Sequence, residues 1–97
     1  MKIQVNNMTS PNGNFVPNQF IIKTKNEVYF QSYQTIIAIQ KLCTKNNNFG
    51  VWKTILDNGA LGYSRTTSKY LYKFLGMNRK QIEKRIKTKE IKFRNLN

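Results

Sequence analysis

The sequence predicts an α+β fold, in which a small antiparallel sheet of three to four strands plus a C-terminal edge strand packs against two short C-terminal helices. Between residues 20 and 56, β-branched and aromatic runs alternate with polar turns, which is typical of strands. After residue 67 the apolar residues recur at helical spacing instead. A chain of 97 residues is long enough for one domain. We therefore expect an irregular lead-in over residues 1–18 and a single α+β domain over residues 19–97.

Turn-forming residues dominate the lead-in. Residues 6–19 contain both prolines, a glycine and several asparagines, and only residues 3–5 before them have the pattern of a short strand. Residues 20–22 and 28–30 then flank a polar break at Lys25 and Asn26. Aromatic and β-branched runs around such a break predict a β-hairpin.

Further strands follow the hairpin. Residues 35–39 are the most β-like run in the chain, and residues 41–50 read as a polar loop. Residues 51–56 predict another strand, which ends at the turn signal of residues 57–59. The alternation of apolar and basic residues over 91–94 predicts the closing edge strand.

The first helix is predicted over residues 67–75. Ser64 or Thr66 is available as its N-cap, and Gly76 provides the stop signal. The buried stripe of this helix consists of Tyr70, Leu71, Phe74 and Leu75.

The second helix begins with a pattern typical of a capping box. Asn78 is followed three residues later by Gln81, so each side chain can bond to the other's backbone N–H. Ile82 and Ile86 then lie four residues apart and predict the buried face of this helix.

The composition excludes most catalytic designs. The chain has 17 Lys and Arg, 4 Asp and Glu and no His, which gives a formal charge of +13. Without His there is no Ser-His triad, no His general base and no His-liganded metal site. Cys43 is the single cysteine, so neither an internal disulfide nor a Cys-rich zinc site can form. We expect a protein that is not an enzyme, with no catalytic residues, no cofactor and no metal.

The positive charge is concentrated in the C-terminal third. Residues 1–62 carry a net charge of +4, whereas residues 63–97 carry +9. No segment is long and apolar enough to cross a membrane, and the N-terminus does not resemble a secretory signal. We therefore expect no membrane partner and a location in the cytoplasm.

Both predicted helices carry basic residues at helical spacing, together with one tyrosine. Such a surface can neutralise phosphates and stack a base or a ribose. A merely solvated face is the alternative, but Glu83 is the only acid between Tyr63 and Lys89, so the usual pairing of opposite charges is mostly missing. The candidate nucleic-acid-binding residues are Arg65, Lys69, Tyr72, Lys73, Arg79, Lys80, Lys84, Arg85 and Lys87.

Residues 71–86 also resemble a helix-turn-helix, with Leu-Gly-Met at the turn. In such a motif Arg79, Lys80, Gln81 and Lys84 would face a DNA groove. Bulky residues occupy the slot that usually takes a small one, and the supporting third helix is absent from the prediction.

Three smaller features have a structural and a functional interpretation. The hydroxyl-rich residues 64–68 offer an anion site at a helix N-terminus, although simple helix capping is the favoured explanation. Cys43 has no activating neighbour in sequence and reads as a structural or loop residue. An aromatic platform for stacking nucleic-acid bases on the sheet would consist of Tyr29, Phe30, Tyr33 and Trp52, but core packing is favoured for most of them, because a chain of this size needs aromatic residues in its core.

The order of three motifs resembles a group of small uncharacterised proteins encoded by tailed bacteriophages and prophages. These motifs are QSY at 31–33, IIA at 36–38 and YSxTTxKYxxxFLG at 63–76, followed by the ending Asn-Leu-Asn. The resemblance covers residues 19–97. The chain departs from the group before Tyr63, where Leu-Gly stands in place of an aromatic residue. The resemblance implies a phage context and a fold of a hairpin plus helices, supplies no activity, and counts against a true helix-turn-helix.

These observations together predict a basic phage accessory protein that binds nucleic acid, either DNA or RNA, mainly through phosphates. We expect it to act in the cytoplasm of the bacterial host, with the virion as a second possible location. The alternative is a protein-interaction module that binds an acidic host or phage protein. It would act as an inhibitor of a host enzyme or defence complex, or as a minor virion component.

Overall fold

The computed structural model describes residues 3–43 and 51–97. A six-stranded sheet has its strands in chain order, and two helices and a 3-10 turn lie between its fifth and sixth strands. The elements are β1 (Gln4–Thr9), β2 (Phe15–Lys23), β3 (Glu27–Ser32), β4 (Thr35–Cys43), β5 (Val51–Asp57), the 3-10 turn (Ala60–Gly62), α1 (Arg65–Leu75), α2 (Arg79–Lys87) and β6 (Ile91–Arg94).

The prediction of a small antiparallel sheet with three to four strands plus an edge strand is wrong. The sheet has six strands and is mixed, because β6 runs parallel to β5 while the other neighbours are antiparallel. The two helices between β5 and β6 provide the crossover that a parallel pair requires. Of the predicted loop over residues 41–50, residues 41–43 belong to β4 and residues 44–50 lie outside the described residues.

Residues expected in the irregular lead-in contribute β1 and the first part of β2. Asn6 and Asn7 are exposed on β1, which is an edge strand with a single neighbour, so polar side chains are tolerated there. Pro17 lies in the part of β2 that precedes its pairing with β3, which starts at Gln19. A residue without a backbone N–H is acceptable where one side of the strand has no partner.

Both helices pack on one face of the sheet. The rings of Phe30 in β3 and Phe74 in α1 stack with centroids 5.7 Å apart. The strand register places Leu56 of β5 and Ile91 of β6 on the same face of the sheet. Leu56 is fully buried in this core and Ile91 is nearly so. Ile82 of α2 is also fully buried there, so burial of this apolar cluster holds the helices against the sheet.

The opposite face of the sheet is called here the open sheet face. It carries a row of apolar residues, to which each of five neighbouring strands contributes one. The register aligns Val5, Ile22, Tyr29, Ile39 and Ile55 across five neighbouring strands. Ile39 at the centre of the row is 8% exposed, whereas Val5 at the edge is 60% exposed. These side chains cover one another in cross-strand contacts and lie outside the core that the helices cover.

Local sequence chemistry defines the ends of the helices. The Ser64 side chain accepts a hydrogen bond from the Thr67 N–H, and Gly76 ends α1 with a left-handed φ of 66°. Asn78 and Gln81 form the predicted capping box at the start of α2. The predictions of these caps are confirmed.

The helix-turn-helix alternative does not fit this arrangement. In the described chain α2 leads directly into β6, and no third helix supports the pair. Their support is the sheet, against which Ile82 and Leu71 are fully buried.

The last residues pack against the end of β5. The Asn97 side chain accepts from the Ile36 N–H at 2.8 Å and donates to the Ile36 carbonyl at 3.0 Å, which prolongs the hydrogen bonding of β4. Asp57 accepts from the Leu96 N–H at 3.0 Å and from the Asn97 amide at 3.2 Å.

In the part of the chain that the structure describes, no helix is long and apolar enough to span a membrane.

Candidate nucleic-acid interface

Helix α1 presents one exposed face that carries basic and aromatic residues. Arg65, Ser68, Lys69 and Tyr72 lie at positions i, i+3, i+4 and i+7, so they share this face. The opposite face of α1 bears Leu71, which is fully buried against the sheet. Packing of the helix therefore fixes the direction in which the basic face points.

This face forms one wall of a groove of about 550 Å3, called here the α1–α2 groove. The 3-10 turn and the residue that follows it form a second wall, and the first residue of α2 closes the groove. The lining residues are Leu61, Tyr63, Arg65, Ser68, Lys69, Tyr72 and Arg79.

Arg79 connects the separate parts of the groove. Its Nη1 lies 3.5 Å from the backbone oxygen of Leu61 in the 3-10 turn, and its Nε lies 3.7 Å from a carboxylate oxygen of Glu83. The guanidinium therefore has partners on two elements. These contacts position a cation at the rim of the groove.

Charge pairing leaves the other groove cations free of carboxylates. Each of the four acidic residues already has a partner within the protein. The pairs are Glu27 with Lys41, Glu83 with Arg79, Glu90 with Arg85, and Asp57 with the backbone and side chain of the last two residues. Among the residues that the structure describes, no carboxylate lies within ion-pair distance of Arg65 or Lys69. The Lys69 ammonium lies 5.7 Å from the centre of the Tyr70 ring.

The nine predicted residues do not form one continuous site. Arg65, Lys69, Tyr72 and Arg79 meet in the α1–α2 groove. Lys73 instead donates to the backbone oxygen of Thr9 at the end of β1.

The other predicted residues lie along α2. Lys84 and Arg85 border a smaller cavity of about 310 Å3 that also contains the paired Glu90. Lys80 and Lys87 are exposed on the same helix. Exposed cations therefore also lie along α2, outside the α1–α2 groove.

A second cavity, of about 520 Å3, lies beside β5 and β6. Ile55, Met77 and Ile91 contribute apolar groups to its lining, and Glu90 contributes a carboxylate that is paired with Arg85. Its lining also includes five cations, which are Lys53, Arg85, Lys89, Lys92 and Arg94.

The predicted aromatic platform does not assemble on one face. Tyr29 lies on the open sheet face, whereas Phe30 points to the helices and is fully buried. Tyr33 is 59% exposed in the turn after β3. Consecutive residues of a strand point to opposite faces, which separates the first two rings. The side chains of Trp52 and Cys43 lie outside the description.

Three residues of the groove, Leu61, Tyr63 and Ser68, were not among the nine predicted nucleic-acid-binding residues. Leu61 and Tyr63 reach it because the 3-10 turn packs beside α1. Tyr63 directly precedes the Ser64 cap. Its position at the N-terminal end of the basic helix face could therefore have been predicted from the sequence. Among the hydroxyl residues of 64–68, Ser64 acts as the cap and Thr67 is buried, whereas Ser68 lines the groove beside Arg65.

Among the described residues, the surroundings of two titratable groups shift their pKa values. Hydrogen bonding from the Leu96 N–H, followed by that from Gly59 and Asn97, lowers the pKa of Asp57 below its usual value, although burial opposes this effect. Burial raises the pKa of the Tyr29 phenol, and its hydrogen bond to the Glu27 carboxylate adds to the rise. Neither group lines the α1–α2 groove.

The acidic residues are dispersed. Over residues 3–43 and 51–97, no group of three or more Cys, Asp or Glu side chains lies close enough together to hold a metal ion. The chemistry available in the α1–α2 groove is that of cations, phenols and one hydroxyl. These groups bind anions and planar rings.

Comparison with known proteins shows one family that this chain matches. No curated protein and no solved structure matches the chain. One family model, described as a family of unknown function (DUF8033), matches residues 3–92 and so includes every strand and helix up to the start of β6. This chain belongs to that family.

Proposed function

We propose that this protein binds nucleic acid without catalysis, through phosphate contacts from its C-terminal helical surface centred on the α1–α2 groove. The observation that supports the proposal is the pair Arg65 and Lys69, which lie four residues apart in a groove. Neither has a carboxylate partner among the described residues.

We expect this surface to bind the successive phosphates of a nucleic-acid strand more tightly than isolated anions. Each phosphate that a Lys or Arg neutralises releases condensed counterions, which favours binding at low salt. The net charge of +9 over residues 63–97 supplies more cations than the groove itself holds. Lys80, Lys84 and Lys87 extend the basic surface along α2, so a strand leaving the groove meets further cations.

The biological context belongs to the same proposal. The resemblance to phage and prophage proteins favours an accessory role during infection, exerted in the cytoplasm of the bacterial host. DNA and RNA both present the phosphates that this surface is expected to contact.

A salt titration tests the proposal. Fluorescence anisotropy of a labelled single strand and of a labelled duplex, each mixed with the full chain, should detect binding at about 50 mM salt. The affinity should fall by tenfold or more as salt rises to about 200 mM, because phosphate contacts dominate. Undetectable binding at the lower salt, or an affinity that does not change with salt, contradicts the proposal.

A second candidate function is recognition of an acidic protein, such as a host enzyme, a defence complex or a virion component. Lys53, Lys92 and Arg94 lie on the open sheet face beside Ile55, and the acids of that face already have partners. Cations next to an apolar row favour a partner that carries carboxylates beside apolar side chains.

This candidate predicts a stoichiometric partner that survives nuclease treatment and binds again when both proteins are purified. The triple substitution K53E/K92E/R94E should abolish that complex. Reconstituted binding that is unaffected by the triple substitution would contradict this candidate.

A further inference from the structure

We infer that the α1–α2 groove accepts an unpaired nucleotide within a strand, with the base against Tyr63 and Tyr72 and the adjoining phosphates at Arg65 and Lys69. This inference rests on the proposed function and adds to it the class of nucleic acid. The lining of the groove, about 550 Å3 in volume, is the observation that carries it.

The chemistry of the lining matches both halves of a nucleotide. Tyr63 and Tyr72 provide aromatic surface, and Leu61 adds an aliphatic group. Aromatic side chains stack on any base, because every base has a π-face. Arg65 and Lys69 on the same wall provide cations for the phosphates on either side of that base.

The shape of the site favours an unpaired base over a duplex. In a duplex the bases are stacked, and only their edges are reachable in the grooves. Readers of duplex DNA place a convex helix into the major groove. Here Tyr63 and Tyr72 line an open groove between α1, the 3-10 turn and Arg79, and only a base that has left its stack has a free face to lie against their rings.

Packing of α1 on the sheet positions one wall of the groove without a ligand. Tyr72 is partly buried against the core, and its backbone oxygen accepts from the N–H groups of Gly76 and Met77. Arg79 bridges to the carbonyl of Leu61 across the groove. A groove lined by packed elements needs little ordering on binding, and this favours stacking of one nucleotide within a bound strand.

The experiment compares oligonucleotides of equal charge. The 97-residue chain is titrated by fluorescence anisotropy against a thymidine strand, an abasic strand of the same length and a blunt two-stranded duplex with the same total number of phosphates and no unpaired base. The thymidine strand should bind at least about fivefold more tightly than either of the others, since stacking of one base contributes that much. An unlabelled mononucleotide, added as competitor at the concentration of the strand, should leave the strand bound.

Substitutions locate the stacking contact. Tyr63→Leu should weaken binding of the thymidine strand at least about fivefold and leave the abasic strand unchanged, whereas Tyr63→Phe should keep the wild-type affinity. Phe93→Leu is the matched control, because Phe93 and Tyr63 are each 38% exposed and Phe93 lies outside the groove. Tyr72→Leu should behave like Tyr63→Leu, and the Tyr63 series decides the matter if that variant does not fold.

Each other outcome overturns a specific claim. Equal binding of the thymidine and abasic strands, or a Tyr63→Leu variant that behaves like Phe93→Leu, would contradict the unpaired-nucleotide inference and leave salt-dependent phosphate binding intact. Complete competition by the mononucleotide would show that the ligand is a free nucleotide and not a strand. Failure of every nucleic acid to bind would contradict the proposed function itself.

Discussion

The hydroxyl oxygens of Ser32 in β3 and Thr67 in α1 lie 3.0 Å apart in a buried hydrogen bond. Thr67 also accepts a hydrogen bond from the Ser64 hydroxyl, so sheet, helix cap and first helical turn are joined at one point. Thr67 is on the buried side of α1, away from Arg65 and Lys69. This bond therefore helps to set the rotation of α1 that points the basic face into the α1–α2 groove.

Removing this hydroxyl pair should lower stability in a coupled way. Ser32→Ala should cost about 1 kcal/mol and Thr67→Val about 1–3 kcal/mol, since each removes one partner of a buried hydrogen bond. The double variant should cost less than the sum, because no unpaired hydroxyl is left. Urea unfolding followed by circular dichroism measures all three. Thr66→Val, which removes an exposed hydroxyl from the same turn, should change stability by less than about 0.5 kcal/mol.

Gly76 should be difficult to replace for a backbone reason alone. Its φ is +66°, and an added Cβ would meet nothing within 4 Å, so the cost of Gly76→Ala is that of a left-handed residue with a side chain. We expect a loss of about 1–2 kcal/mol in the free energy of unfolding. Gly62→Ala is the control, because that position also has open space but no left-handed φ. Equal effects at the two glycines would contradict this explanation.

Asp57 should make the protein sensitive to acid. Its pKa is lowered in the folded state, chiefly by the hydrogen bond from the Leu96 N–H. The resulting stabilisation is complete above the ordinary pKa of a carboxyl group and is lost as the pH falls through the lowered pKa. Asp57→Asn should therefore reduce stability at neutral pH and flatten its dependence on pH.

Urea unfolding between about pH 6 and pH 2 tests this expectation for Asp57. Glu83→Gln also neutralises one carboxylate, on the exposed surface of α2, and should retain the acid sensitivity of the wild type. An Asp57→Asn variant that is as sensitive to acid as the wild type would show that other groups cause the effect.

Features encoded by neighbouring residues were predictable. The capping box of Asn78 and Gln81, and the ends of α1 at Ser64 and Gly76, depend on bonds within a few residues. Such bonds leave a readable pattern in the sequence.

Features that depend on distant contacts were not predictable. The pattern of residues 3–5 predicted only the start of β1. The rest of the strand escaped prediction because Asn6 and Asn7 are exposed on an edge strand, where no apolar alternation is required. The parallel direction of β6 follows from the crossover through both helices and has no local signature.

In the candidate site too, features within one helix were predictable from the sequence, whereas features that depend on distant contacts were not. The spacing of Arg65, Lys69 and Tyr72 on one helix face was visible in sequence, and these side chains do line one groove. Lys73 was assigned to that face, but it contacts Thr9, which is 64 positions away in the chain. Leu61 joins the groove through packing of a turn that the sequence analysis did not predict.

The most direct test of the central claim compares two variants that each lose two positive charges. The affinity of each variant for a labelled single strand is measured. R65A/K69A removes the unpaired cations of the groove, and K23A/K25A removes two exposed lysines of the β2–β3 hairpin. At about 50 mM salt the groove variant should bind at least about tenfold more weakly than the wild type, and the hairpin variant should stay within about threefold. Equal losses in the two variants would show that only net charge matters and would contradict the α1–α2 groove as the binding site.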